Sequence, residues 1–250
     1  MLKLSAYIIA YNEAQRIADA INSILWADEI IVVDSASTDD TVAICEALGA
    51  QVHVVLDWPG FGMQKNRALD LASREWVLSL DADERVTPGL RQEIEAVIRD
   101  PGAAPAYDIP RSSSYCGRFM RHSGWYPDYV TRLFRRGHAR FSDDLVHERL
   151  LVQGTPGRLK GELLHYAFDG MEEVLRKVDQ YSTAGAQRMR ARGRRASLAG
   201  AVLRGAWSFF RTYFLRLGFL DGQEGFMLAV SNAEGTYYRY VKLMLLNRKP

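Results

Sequence analysis

The residues with the strongest claim to chemistry are Asp81 and Asp83, in the stretch W-V-L-S-L-D-A-D-E-R at residues 76–85. Trp76 to Leu80 is a short, mostly apolar run that suits a buried strand, and Asp81-Ala82-Asp83-Glu84 ends it abruptly. Carboxylates at the C-terminal end of a strand can fan around a cation, and in open α/β sheets ligands bind beyond that end. Oxygen ligands of this kind suit Mg2+ or Mn2+. Mg2+ in particular is usually shared between one or two carboxylates and the phosphates of a substrate. An acidic, solvated turn is the plainer alternative, because carboxylates often close strands.

A site at a strand end needs neighbouring strands to supply its other groups. Leu4 to Ala10 reads as a first strand, Tyr11-Asn12-Glu13 as a turn, and Ala14 to Trp26 as a helix with Ile17, Ala20, Ile21 and Ile24 at helical spacing. Glu29 to Val33 is a second strand ending at Asp34. The cap-rich stretch Ser35 to Thr41 then leads into a helix that Gly49 stops. Gln51 to Leu56 makes a third strand, Asp57 to Met63 a loop, and Gln64 to Ser73 a helix before the acidic strand. This alternation predicts an α/β fold with a mainly parallel, Rossmann-like sheet and right-handed crossovers.

The C-terminal ends of parallel strands share one edge, so Glu13, Asp34 and the Asp81/Asp83 pair are expected to line one crevice. Asp34 could accept a hydrogen bond from a base or ribose hydroxyl. Lys65 could serve as a point charge on a diphosphate, the alternative being a solvated helix lysine. Neither G-x-G-x-x-G after the first strand nor G-x-x-x-x-G-K-[ST] occurs, which disfavours a dinucleotide-dependent dehydrogenase and a P-loop nucleotidase.

The bulk properties narrow the field further. Across 250 residues the formal charge is +2, so no global basic field argues for nucleic acid as a partner. Cys45 and Cys116 have no C-x-x-C spacing, which fits a reducing cytosol rather than a disulfide scaffold or zinc knuckle. The apolar run Leu4 to Ala10 is too short for a signal peptide and lacks a cationic run before it.

Four motifs in order, A-Y-N-E at 10–13, V-V-D-S-A-S-T-D at 32–39, Q-K-N-R-A at 64–68 and L-S-L-D-A-D-E at 78–84, resemble the inverting GT-A glycosyltransferases of family 2. Their spacing is similar to the subgroup that includes lipopolysaccharide core β-1,4-glucosyltransferases. The resemblance implies that Tyr11, Glu13, Asp34, Lys65 and Asp81 contact a nucleotide-diphosphate sugar donor and that Asp83 ligates a divalent metal. Many relatives carry two acids and a glycine where this chain has Asp34-Ser35-Ala36. One nucleotide contact is therefore lost or replaced by the Ser35 hydroxyl.

Beyond the turn-rich break Pro101 to Pro105, Tyr107 to Pro110 and Thr131 to Phe134 are short strands. Gly124-Trp125-Tyr126-Pro127-Asp128 is either an aromatic platform for a sugar ring or a packed turn, and Arg111, Arg132, Arg135 and Arg136 are candidates to meet phosphate. An inverting transferase needs a general base for the acceptor hydroxyl, and F-S-D-D-L-V-H-E-R-L at 141–150 offers Asp143, Asp144 and Glu148. Family members carry the base in an acidic motif of this region, which Val146-His147-Glu148 matches best and which makes Glu148 the expected base. Many GT-A enzymes also ligate the metal through a late histidine, here His165, with His147 the competing choice.

From Gly170 the character changes, which divides the chain into a nucleotide-sugar-binding catalytic domain, 1–168, and a helical, basic, amphipathic region, 169–250. Met171 to Ala191 is an arginine-rich helix, Ser197 to Phe219 a second, and Phe226 to Leu246 a last one after the turn Leu220 to Gly225. Leu203, Trp207, Phe210, Phe214 and Leu217 form an apolar stripe from which Arg204, Arg211 and Arg216 fall away. Those arginines argue against a spanning helix, each costing roughly 2.5–3.5 kcal/mol at a bilayer centre. Such a helix suits a membrane interface, or packing on its own domain or a second subunit. The expected protein is a metal-dependent enzyme on the inner face of the cytoplasmic membrane. It would move a hexose, glucose from UDP-glucose by resemblance, to a lipid-linked saccharide. A sugar nucleotidyltransferase and an inactive membrane scaffold are the alternatives.

Overall fold

The computed structural model describes residues 3–142 and 149–248. The chain forms two compact units, one from Met1–Arg111 and Asp128–His165, the other from Ser112–Pro127 and Tyr166–Pro250.

In the first unit β1 (Leu4–Ala10), α1 (Ile17–Asn22), β2 (Glu29–Asp34), α2 (Thr41–Ala47), β3 (Gln51–Val54), α3 (Phe61–Leu71) and β4 (Trp76–Asp81) alternate along the chain. They are followed by β5 (Glu84–Val86), α4 (Pro88–Arg99), β6 (Ala106–Tyr115), β7 (Arg118–Phe119), β8 (Asp128–Arg135), β9 (Ala139–Phe141), β10 (Leu150–Val152), β11 (Gly157–Arg158) and β12 (Leu163–Phe168). The main sheet runs β3-β2-β1-β4-β8-β6-β12-β5. Its first four strands are parallel, and β8 is antiparallel to both β4 and β6. This is a mixed, mostly parallel α/β sheet of Rossmann-like form.

The central strands are apolar nearly throughout because both faces of the sheet are covered. Alternate side chains go to opposite faces. Leu4, Ala6 and Ile8 pack in one core with Ile17 and Ile21 of α1 and Leu90 and Ile94 of α4. Tyr7, Ile31 and Val33 join Ala68 and Leu69 of α3 in the other.

Some boundaries differ from the spacing-based reading, each for a local reason. The helix expected from Ala14 begins at Ile17, because the Glu13 carbonyl accepts from both Arg16 and Ile17 and closes a turn first. The helix expected from Gln64 begins at Phe61, since Gly60 at φ 106° takes a left-handed conformation open to glycine and starts the helix early. Strand β6 runs ten residues, well past Pro110, because β8 pairs with it as far as Arg111.

The second unit contains α5 (Met171–Ala191), α6 (Leu198–Phe210), a π-helical turn (Arg211–Leu215), a 3-10 turn (Gly218–Asp221) and α7 (Gly222–Leu246). Helix α6 turns its small residues inward: Ala201, Gly205 and Ser208 are buried. A Cβ on Gly205 would lie 3.2 Å from that of Tyr237, so the missing side chain is what permits the close approach of α6 to α7. The aromatic stripe is consequently outside. Leu203 is 70% exposed and Trp207 56%, with Phe210, Phe214 and Leu217 also exposed. The alternative in which this stripe packs onto its own unit is therefore not the one adopted.

Candidate functional site

Sheet register brings the expected residues to one edge. In the parallel pairs, Ala10 lies opposite Asp34 and Ile9 opposite Asp81, so the turns that follow β1, β2 and β4 emerge side by side. The polar stretch after β2 exists to hold that edge. Ser37 Oγ accepts from the Asn12 amide, Thr41 Oγ1 from the Glu13 amide, and Asn12 Oδ1 from the Thr38 amide, each at 2.8 Å. Asp34 is fully buried and takes both the amide and the hydroxyl of Ser37, so its carboxylate shapes this turn. Ala36 adopts φ 61° and meets the steric cost that a glycine there would avoid. The Ser35 hydroxyl, the expected replacement for one nucleotide contact if that contact is not simply lost, accepts from Gln64 Nε2 at 3.0 Å.

A cleft of about 540 Å3 opens here, lined by Tyr11, Glu13 and Ser35 together with Trp58 and Phe61. The last two were missed in the loop reading. Trp58 and Phe61 meet edge to face with centroids 4.9 Å apart, and each is about half exposed. Their signal was positional: W-P-G-F follows the C-terminal end of a parallel strand, the end at which ligands bind.

The motif Q-K-N-R works as four separate anchors. Gln64 reaches Ser35, as above. Lys65 is buried rather than solvated, its Nζ 3.2 Å from Asp81 Oδ1 and 5.4 Å from the centre of the Phe141 ring. Asn66 exchanges two hydrogen bonds with the Phe141 backbone, at 3.0 and 2.9 Å, and so ties down the end of β9. Arg67 forms a two-pronged pair with Asp57.

Asp81 is held from two sides. Arg132 donates to its Oδ2 and Lys65 faces its Oδ1. Burial by itself raises the Asp81 carboxyl, but the charges of Arg132 and Lys65 outweigh it and hold the group well below the usual carboxylate range. Beneath it lies Glu84, fully buried and unforeseen. Its carboxylate accepts from Arg132 at 2.7 Å, from Arg111 at 3.3 Å and from the Asp81 amide at 3.0 Å. Its only sequence signal was its place at the end of the acidic run.

The arginines expected to meet phosphate are thus otherwise engaged. Arg132 serves Asp81 and Glu84, while Arg111 serves Glu84 and Asp128. Arg135 pairs with Glu75 and lies over Trp76, at the start of β4, far along the strand from Asp81. Arg136 donates to the Ala72 carbonyl. Charge attraction chose internal carboxylates and carbonyls over an open crevice. The Gly124–Asp128 run is a packed turn rather than an open platform, with Trp125 against Tyr115 and Phe168.

Asp83 and His165 come together. Strand β12 runs antiparallel to β5 with His165 opposite Glu84, which sets His165 Nε2 3.3 Å from Asp83 Oδ2. Both side chains remain partly exposed. A carboxylate and an imidazole so close fit a divalent cation that draws its remaining ligands from water and diphosphate. Among the described residues no group of three or more His, Cys, Asp or Glu converges on one point, so the described part of this edge offers the Asp83–His165 pair as donors. Asp143, Asp144, His147 and Glu148 lie outside the described residues.

The chain is similar in sequence and fold to several known proteins. The family model described as "Glycosyl transferase family 2" matches residues 5–151. An uncharacterized glycosyltransferase of Rickettsia prowazekii is 33% identical over all of this chain and 89% of its own length. The lipopolysaccharide core biosynthesis glycosyltransferase LpsC of Rhizobium meliloti is 30% identical, with 97% of this chain and 92% of LpsC covered. Among solved structures, residues 1–349 of S. aureus TarS in complex with UDP superpose with a TM-score of 0.51 at 16% identity. That match covers 98% of this chain and 91% of TarS 1–349 and speaks to the fold.

Proposed function

Since this chain belongs to glycosyl transferase family 2, and is thus a glycosyltransferase of GT-A fold, we propose that it moves a hexose from a nucleoside-diphosphate donor to a lipid-linked saccharide. Its main support is the shared sheet edge, where the aromatic cleft at Tyr11, the Lys65–Asp81 pair and the Asp83–His165 pair all emerge. UDP-glucose as donor rests on the family resemblance. A lipopolysaccharide core acceptor rests on the similarity to LpsC.

In this reading Tyr11, Trp58 and Phe61 receive the base, and Glu13 lines the same cleft. Asp34 keeps the neighbouring turn in place, and Lys65 and Asp81 face the diphosphate. Asp83 and His165 would hold the divalent cation, which when bound supplies positive charge to the departing diphosphate. Glu148 takes the proton of the acceptor hydroxyl as its oxygen bonds to the anomeric carbon. The bond to the donor phosphate oxygen breaks, and its electron pair leaves with the nucleoside diphosphate. Attack from the face opposite the leaving group inverts the carbon.

The test is release of free UDP from UDP-glucose on adding acceptor; no UDP release there, with pyrophosphate released instead from UTP and glucose 1-phosphate, would overturn the reading. Asp83→Ala is expected to remove the Mn2+-dependent part of UDP affinity while leaving thermal melting in EDTA unchanged, because Asp83 sits at a partly open edge. Mn2+-dependent affinity equal to that of the parent would remove Asp83 from the ligand set.

We further place the protein at the inner face of the cytoplasmic membrane. No described helix is long and apolar enough to cross a membrane. The outward stripe at Leu203, Trp207 and Phe210, with Arg204 beside it, suits the interface of an anionic bilayer. The double change Trp207→Ala with Arg204→Glu is expected to weaken co-sedimentation with phosphatidylglycerol vesicles by about tenfold or more. That follows from roughly 1 kcal/mol per arginine and 1.5–3 kcal/mol per large apolar side chain. Equal sedimentation by the variant would assign the stripe to a protein partner.

A further inference from the structure

The second unit contains a cleft of about 440 Å3 that the reaction above does not use. Lys177 of α5, Arg211 and Arg216 at the π-helical turn and Arg239 of α7 line it, and among the described residues no aspartate or glutamate does. Among the described residues none of these four cations is paired with a carboxylate. The whole chain carries 32 basic and 30 acidic residues, so four unpaired cations around one concavity are a local concentration, not a general excess.

Two of the arginines are seated by glycines. The Cδ of Arg216 lies 2.6 Å from where a Cβ on Gly124 would be, and Gly124 has φ 77°, which other residues rarely adopt. Gly185 of α5 leaves similar room for Arg239, whose Nε lies 2.9 Å from the position of the absent Cβ. That Nε is buried and lacks a hydrogen-bond partner, a donor whose desolvation nothing within the chain offsets. Tyr181 adds aromatic surface to the same cleft, and several hydroxyl groups complete it. Aromatic faces suit the apolar face of a sugar ring, and guanidinium groups suit the planar oxygens of carboxylate and phosphate. The volume falls in the range of small-ligand sites.

We propose that this cleft binds a saccharide bearing an anionic substituent, phosphate or carboxylate. That the saccharide is part of the acceptor rests on the transferase reading; the anionic class rests on the cleft alone. Titration calorimetry on the full chain at low ionic strength tests it with glucose 6-phosphate, glucuronate and unmodified glucose. Both anionic sugars should bind at least tenfold more tightly than glucose. Arg211→Gln with Arg239→Gln should weaken them at least tenfold while UDP binding with Mn2+ stays unchanged. Should that double variant fail to fold, seen as lost UDP binding and melting, Lys177→Gln decides, with a severalfold loss expected. Binding unaffected by these changes, or glucose binding as well as its anionic forms, overturns the proposal. So does binding only to phosphatidylglycerol vesicles, which would make the cleft a lipid headgroup site. Loss of Mn2+-dependent UDP binding in the parent chain, with anionic sugars still bound, would defeat the transferase reading and leave the cleft's assignment standing.

Discussion

Glu148→Gln is expected to lower turnover by roughly 10²–10⁴-fold, the usual worth of general-base assistance. Donor and metal affinity should stay at parental levels. The amide keeps the size and hydrogen-bonding reach of the carboxylate but cannot take up a proton at useful pH. The base acts only as the acceptor oxygen attacks, so the loss belongs in kcat rather than in donor binding. UDP release under saturating UDP-glucose and acceptor measures it, with calorimetric UDP affinity as the companion reading. Asp144→Asn is the control, being the next acid in the same motif. Near-parental turnover in Glu148→Gln with loss in Asp144→Asn would move the base four residues upstream. Full activity in both would make this acidic motif structural and require another base.

Arg132→Ala is expected to cost about 3–5 kcal/mol of stability, the range for removing one partner of a buried ion pair. The buried guanidinium lies between Asp81 and the fully buried Glu84, and its loss strands two carboxylates at once. Lys65 and Arg111 remain as partial compensation, so the loss need not exceed that range. Acid titration gives a second, independent signature. Burial opposes the charged form of Asp81, but Arg132 and Lys65 lower its carboxyl well below that of an unfolded chain. A group depressed on folding contributes stability that is fully present above its unfolded pKa of about 3.9. That contribution is lost as pH falls from there toward the folded value. The parent should therefore destabilise on acidification below about pH 4, and Arg132→Ala should show a shallower acid limb. Urea denaturation at neutral and acid pH reads both. A neutral-pH loss near zero, with an unchanged acid limb, would show that Arg132 does not hold the pair.

Much of the first unit is legible from short-range pattern. Apolar runs bounded by acids mark β1, β2 and β4, because strands covered on both faces must be apolar throughout. The alternation of strand and helix then implies a parallel sheet, and a parallel sheet implies a common edge for Tyr11, Glu13, Asp34 and the D-A-D turn. Those inferences need only periodicity and connection length, which are local properties of the chain.

Through-space partnership is not local. Lys65 and Arg132 lie 16 and 51 positions from Asp81, and only strand order and helix docking decide that both charges meet that carboxylate. The same holds for Asp83 and His165, joined by the antiparallel pairing of β5 and β12 across the sheet. Helix α6 offers the sharpest contrast. Its sequence carries two faces at helical spacing, a small-residue face at Ala201, Gly205 and Ser208 and an aromatic face at Leu203, Trp207 and Phe210. Periodicity alone leaves open whether the aromatic face meets a membrane interface or packs on its own domain or a second subunit. The tertiary structure buries the small face, because a Cβ on Gly205 would already crowd Tyr237 and the Ala233 carbonyl of α7, so only residues without bulk permit this approach. The aromatic area is left at the surface, a choice made by packing distance rather than by hydrophobicity.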